Sequence, residues 1–129
     1  MSEWRGSGTI LVVDDEEAIR NVMRRTLERA GFKVLTSADG PEGLKAYAEH
    51  RAEIRAIVLD VTMPTMSGEE TLRRLRAIDP HVPVVLSSGY SEQEATKRFT
   101  DAGGPDAFVE KPFTPRQLVD RMRTVLSEM

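Results

Sequence analysis

No cysteine occurs in the 129 residues, so the chain can build neither a disulfide nor a thiolate site for metal or redox chemistry. Aromatic residues are scarce at 5%, and the two histidines, His50 and His81, stand apart from other reactive side chains, unsuited to metal binding or phosphodonation. No apolar run approaches the ~20 residues of a membrane-spanning helix, and no signal-peptide pattern is present. The expectation is no membrane contact and, by default, a cytoplasmic setting. A formal net charge of −3 gives no bulk-charge reason to expect nucleic-acid binding. What is there, 40% hydrophobic and 30% charged residues, suits one globular domain with a substantial core.

The organising stretch runs from Ala56 to Gly68. Ala56-Ile57-Val58-Leu59 reads as a strand buried on both faces, and it runs directly into Asp60. Taken alone, Asp60 reads as a solvated aspartate ending a strand. A second buried run, Thr9 to Val13, ends in Asp14-Asp15-Glu16-Glu17. Parallel strands ending in acids on one sheet edge crowd three carboxylates, at a cost of several kcal/mol unless a cation neutralises them. Hard oxygen ligands with room for water suit Mg²⁺. Helix N-terminal charge is the alternative for Asp14 and Asp15, compatible with a metal role, and it accounts for Glu16 as well. Lys111 leaves a third strand end after Ala107-Phe108-Val109. A lysine, a metal and an acceptor carboxylate are the parts needed for phosphoryl transfer.

Met1 to Gly8 reads as a flexible tail or linker, and 9–129 as the domain; a linker here suggests something upstream. Ile19, Val22, Met23, Thr26, Leu27 and Ala30 share one helical face, closed by Gly31. Lys33 to Thr36 is a strand, and Asp39-Gly40-Pro41 opens a helix with Leu44, Tyr47 and Ala48 inward. Leu72, Leu75 and Ile78 face inward from the next helix, where Arg73, Arg74 and Arg76 read as a solvated face. Val82 to Ser88 is the fourth strand. A short polar helix follows, with Ala95, Phe99 and Ala102 on one side. The last helix buries Leu118, Met122, Val125, Leu126 and Met129. Three helices begin with capping-box spacing, at Ser67, Ser91 and Thr114. Strand–helix repeated five times predicts a flavodoxin-like doubly wound α/β fold, a five-stranded parallel sheet in the order 2-1-3-4-5.

Asp14-Asp15, the D-x-x-M-P-x-M-x-G pattern from Asp60, Ser88-Gly89 after a strand, and Lys111-Pro112-Phe113 together resemble the receiver domain of two-component response regulators. The resemblance implies that Asp60 is phosphorylated by a histidine kinase or a histidine phosphotransfer domain. It makes Asp15, Asp60 and the Thr62 carbonyl direct Mg²⁺ ligands, with Asp14 acting mostly through water. Lys111 would pair with the acceptor and then with the phosphoryl group, and Pro112 would follow a cis bond. Ser88 is the expected switch hydroxyl, with Ser87 the fallback. Phe108 stands where the family carries its switch aromatic, although a plain core phenylalanine fits as well.

Two features depart from the family pattern. The interval from Ser88 to Lys111 is one residue longer than usual, around Gly103-Gly104-Pro105, and Phe108 lacks a phenolic hydroxyl. The region from Asp60 to Lys111 looks most like the C-terminal receiver of a hybrid sensor histidine kinase, with a stand-alone regulator second. A monomer or weak dimer is expected, with no enzymatic activity beyond its own phosphorylation and dephosphorylation. The competing readings are a haloacid-dehalogenase-type phosphatase, suggested by Asp60-Val61-Thr62, and a scaffold that takes no phosphate. The phosphatase reading suffers because position 62 is not the second acid such enzymes use.

Overall fold

The computed structural model describes residues 5–61, 63, 65–99 and 104–127. Five strands alternate with five helices: β1 (Thr9–Val13), α1 (Glu17–Arg29), β2 (Lys33–Ser37), α2 (Gly40–His50), β3 (Ile54–Asp60), α3 (Gly68–Ile78), β4 (Val84–Ser88), α4 (Glu92–Phe99), β5 (Ala107–Glu110) and α5 (Pro115–Ser127). All pairings are parallel, in the order β2-β1-β3-β4-β5. This is the expected flavodoxin-like arrangement.

The two-residue period of the strands sorts their side chains into two cores. Leu11, Val13, Ile57, Leu59, Val84 and Leu86 meet Tyr47, Leu72, Leu75, Ala95 and Phe99, from α2, α3 and α4. Ile10, Val12, Ala56, Val58, Val85 and Val109 meet Met23, Leu27, Leu118, Met122 and Leu126, from α1 and α5. A strand buried on both faces must be apolar at every position, which is why β1 and β3 read as unbroken hydrophobic runs.

Local signals account for most boundaries. Ser67 Oγ accepts from Glu70 N at 3.1 Å and Ser91 Oγ from Glu94 N at 3.2 Å. Thr114 and Gln117 cap each other reciprocally, at 2.8 and 3.2 Å. Gly31 has φ +107°, and a Cβ there would lie 2.6 Å from the Gly6 carbonyl oxygen, so only glycine fits. β4 starts at Val84 rather than Val82, because Pro83 has no N–H to give the ladder.

Several inward assignments move. Val22 is 52% exposed, since Met23 and Leu27, flanked by partly buried Ile19 and Ala30, fill the contact between α1 and the sheet. Ala48 is exposed, while Gly40 and Gly43 are buried. A Cβ on Gly43 would come 2.8 Å from Val13 Cγ2, so α2 sits too close to β1 for a side chain there. Ile78 is at the surface. Ala102, Met129 and Trp4 lie outside the described residues. Residues 5–8 run along the sheet's lower edge, with Gly6 N donating to Ala30 O at 2.7 Å and Arg55 Nη1 donating to Ser7 O at 2.8 Å.

Arg76 departs furthest from its expected solvated role. Its guanidinium donates to the carbonyls of Val82 and Gly104 and meets Asp106 Oδ2 at 2.9 Å, while that oxygen also accepts from Val84 N at 2.8 Å. The arginine thus ties the end of α3 to the starts of β4 and β5. Tyr47 forms a similar tie, donating to Asp79 Oδ2 at 2.8 Å; burial and that carboxylate push its phenol up to about 12. Arg76→Ala should lower unfolding free energy by about 1–3 kcal/mol, because it strands the part-buried Val82 and Gly104 carbonyls and removes the Asp106 ion pair. Arg73→Ala, on the exposed face, should change it by less than about 0.5 kcal/mol in the same urea titration.

Candidate functional site

Asp14 follows the last residue of β1, Asp60 is the last residue of β3, and Lys111 follows the last residue of β5. β1 and β3 are central neighbours in register Val13↔Leu59, which sets Asp14 beside Asp60. Both lie at the carboxyl edge, where the strand order reverses and open α/β sheets bind ligands. Asp14 is fully buried, Asp60 is 4% exposed and Asp15 is exposed. Each offers a carboxylate oxygen, and these oxygens lie within 4.8 Å of one another.

Lys111 closes the cluster. Its Nζ is 3.1 Å from Asp60 Oδ1 and 3.2 Å from Asp14 Oδ2, with Glu16 Oε1 at 4.0 Å. The Lys111 N–H donates to the Ser88 carbonyl at 2.6 Å, which fixes the lysine at the top of β5, and the Lys111–Pro112 bond is cis. Asp14 is held by its own turn, Oδ1 accepting from Glu16 N at 2.9 Å.

The charges are out of balance. Burial, and then the Asp14 carboxylate, push Asp60 up from 3.8 to about 7, although Lys111 pulls the other way. Burial opposes the Lys111 charge, but Asp60 and Asp14 outweigh it and hold the ammonium above the usual lysine range. Three carboxylates facing one lysine are short of positive charge. The donor set, all oxygen and partly open to water, fits a hard divalent cation.

The family model of the response regulator receiver domain matches residues 10–123. The chain belongs to that family. It is 37% identical to sensor kinase CckA of Brucella abortus, covering 98% of this chain and 13% of that protein. It is 38% identical to transcriptional regulatory protein PrrA of Mycobacterium bovis, covering 93% of this chain and 50% of that protein. The receiver thus spans half or less of these curated relatives. Among solved structures, chemotaxis protein CheY4 of Vibrio cholerae superposes with a TM-score of 0.86 at 30% identity, over 94% of this chain and all of that one. CheY of Borrelia burgdorferi, in its CheX–BeF₃–Mg complex, gives 0.85 at 27% identity, over 92% and 88%. The phosphatase reading of Asp60-Val61-Thr62 gives way to the receiver family.

The other predicted residues that the structure describes lie on β4 and β5. Ser88 ends β4, is buried, and its Oγ accepts from Tyr90 N at 2.8 Å. Ser87 pairs in register with Asp60, and its buried Oγ has no hydrogen bond among the described residues. Phe108 is 8% exposed, pairs with Leu86 and packs in the α2–α4 core. It also lines an open surface groove with Glu92, Thr96 and Pro105. Thr62 and Gly103 lie outside the described residues.

One constellation escaped the sequence reading. Arg98 on α4 lies 4.8 Å from the centroid of the Tyr90 ring and reaches Glu69 at the start of α3, Nη2 to Oε1 2.8 Å. It ties α4 to the helix following Asp60. The three residues are spread over 30 positions with no shared periodicity, so no sequence signal joins them.

The raised Asp60 carboxyl sets a pH dependence in metal-free protein. Its folded value exceeds its unfolded one, so its stabilising contribution is complete below about pH 4 and is lost as pH rises through about 7. With a chelator present, wild type should lose up to about 4 kcal/mol more than Asp60→Asn between pH 4 and 7.5. Urea unfolding at several pH values measures this, and parallel curves would contradict it.

Proposed function

We propose that this receiver domain accepts a phosphoryl group on Asp60 from a phosphohistidine donor, with Mg²⁺ held by Asp14, Asp15 and Asp60, and that the gain reshapes the surface around α4 and β5. The observation that carries the reading is Lys111 Nζ bridging Asp60 Oδ1 and Asp14 Oδ2 at the carboxyl edge of the sheet. The family's backbone ligand would be the carbonyl of Thr62. Support also comes from the Borrelia relative, solved with a beryllium fluoride and magnesium. When bound, Mg²⁺ neutralises the carboxylates and draws charge from the transferring oxygens.

In transfer, an Asp60 carboxylate oxygen attacks phosphorus as the bond to the donor's imidazole nitrogen breaks. The imidazole leaves neutral when its other nitrogen already carries a proton, and otherwise takes one from solvent as the bond breaks; an acyl phosphate remains. Lys111, already beside Asp60, moves its ammonium from carboxylate to phosphoryl oxygen. Ser88 Oγ accepts from Tyr90 N, so its own proton is free to donate to the phosphoryl group. Ser87 lies one residue deeper in β4. Water attack at phosphorus breaks the acyl phosphate bond, releases inorganic phosphate and restores the Asp60 carboxylate; this self-phosphorylation and dephosphorylation is the domain's chemistry.

Drawing Ser88 inward loosens its bond from Tyr90 N and disturbs the Arg98–Tyr90 contact. The Phe108 ring borders space beneath α4 that it can enter. The donor is a histidine kinase or a histidine phosphotransfer domain, and the setting is cytoplasmic. Residues 9–129 form the receiver unit, a monomer or weak dimer, with residues 1–8 leading into it. The parent is a hybrid sensor kinase, with a stand-alone regulator second.

Acetyl phosphate with Mg²⁺ should add one phosphoryl group to wild type and none to Asp60→Asn, read by mass spectrometry; equal gain in both refutes the assignment. Mg²⁺ at a hundredfold excess over its Kd should add about 2.7 kcal/mol of stability. Beryllofluoride with Mg²⁺ should alter amide exchange in residues 91–99. Ser88→Ala should still take phosphate yet blunt that change; binding without altered exchange in wild type places the output surface elsewhere.

A further inference from the structure

Arg20 lies in the first turn of α1, against the polarity of the helix. Four acids, Asp14 to Glu17, lead into that turn, where the macrodipole favours negative charge and disfavours a cation. Glu16 and Glu17 are near it in sequence, yet Arg20 forms no ion pair with either among the described residues. Its Nη1 instead donates to the Asp14 carbonyl at 2.8 Å. A guanidinium that passes over nearby carboxylates for a peptide oxygen is being used for geometry.

The geometry points to Arg20 as a positioning residue for the metal cluster. This rests on the reading of Asp14, Asp15 and Asp60 as Mg²⁺ ligands. Asp14 is held at four points: its N–H donates to Ser37 O at 3.1 Å, Oδ1 accepts from Glu16 N, Oδ2 from Lys111 Nζ, and its carbonyl from Arg20. The first three set the strand end and the Asp14 carboxylate. The fourth orients the peptide plane joining Asp14 to Asp15. Asp15 is exposed and has no hydrogen bond or ion pair of its own among the described residues, so its carboxylate is aimed by its backbone alone. Arg20 therefore sets where the exposed ligand meets the buried pair. Its fixed charge also lies beside an acidic cluster otherwise served by Lys111.

The test is Mg²⁺ affinity, measured by calorimetric titration of metal alone into wild type, Arg20→Gln, Arg20→Lys and Asp15→Asn. Loss of a group that orients a metal ligand typically weakens binding by 10–100-fold. Arg20→Gln should weaken Mg²⁺ about tenfold, and Arg20→Lys, with the charge but a shorter single-headed donor, about threefold. With acetyl phosphate, the loss should appear mainly in the Mg²⁺ concentration for half-maximal phosphorylation rather than in the plateau rate. A merely structural tie would lower the melting temperature equally with and without metal and leave the dissociation constant unmoved. Wild-type affinity in both Arg20 variants overturns the inference, and Arg20→Lys alone decides it if the glutamine variant does not fold. If wild type binds no Mg²⁺, or Asp15→Asn binds it undiminished, the metal reading itself falls and this inference with it.

Discussion

Asp14 and Asp60 are two carboxylates forced together where there is almost no water, with one ammonium between them. Nearly everything else in the domain serves or suffers that contact. The parallel sheet makes it, because adjacent strands in register deliver their carboxyl ends to one place. Both hydrophobic cores hold it, because β1 and β3 are buried on both faces and cannot slip without turning acids inward. The result is a site short of positive charge: burial and Asp14 raise the Asp60 carboxyl, and Lys111 only partly offsets them.

Rigidity around that contact is unevenly distributed. Asp14 is anchored through N, O and both carboxylate oxygens, and Arg76 pins the opposite end of α3 through two carbonyls and Asp106. The α4 side is held more loosely. The helix has eight residues, only Ala95 and Phe99 buried in it, and a part-exposed contact from Arg98 to Glu69 and Tyr90. Short elements with few buried contacts are the ones that open first. The lightly held element beside β4 and β5 is therefore α4, and Phe108 lines an open groove next to it.

Much of this was legible in the residues. Buried-strand runs ending in acids, three capping boxes and a strand–helix alternation carried the topology, because each reflects a local physical requirement. Pairing Asp14, Asp15 and Asp60 needed only the rule that parallel strands share an edge. Helix faces were read less well. Val22 and Ala48 fit a 3.6-residue period but miss the core, because how wide a stripe is buried depends on how closely a helix approaches the sheet, and Gly43 brings α2 closer than periodicity reveals.

Composition and order alone determined the class of fold, the edge on which chemistry gathers and the identity of the acids and lysine on it, since these follow from chain-local hydrogen bonding, burial and the handedness of crossovers. Tertiary structure alone decided what depends on distance between remote segments. Arg76 proved to be a partly buried strut rather than a solvated surface charge, because the loops it bridges converge only when α3, β4 and β5 are assembled. Arg98 found Glu69 and Tyr90 across two elements. The elevated Asp60 carboxyl came from burial and an Asp14 neighbour 46 positions away in the chain, an energy that exists only once water has been expelled from between them.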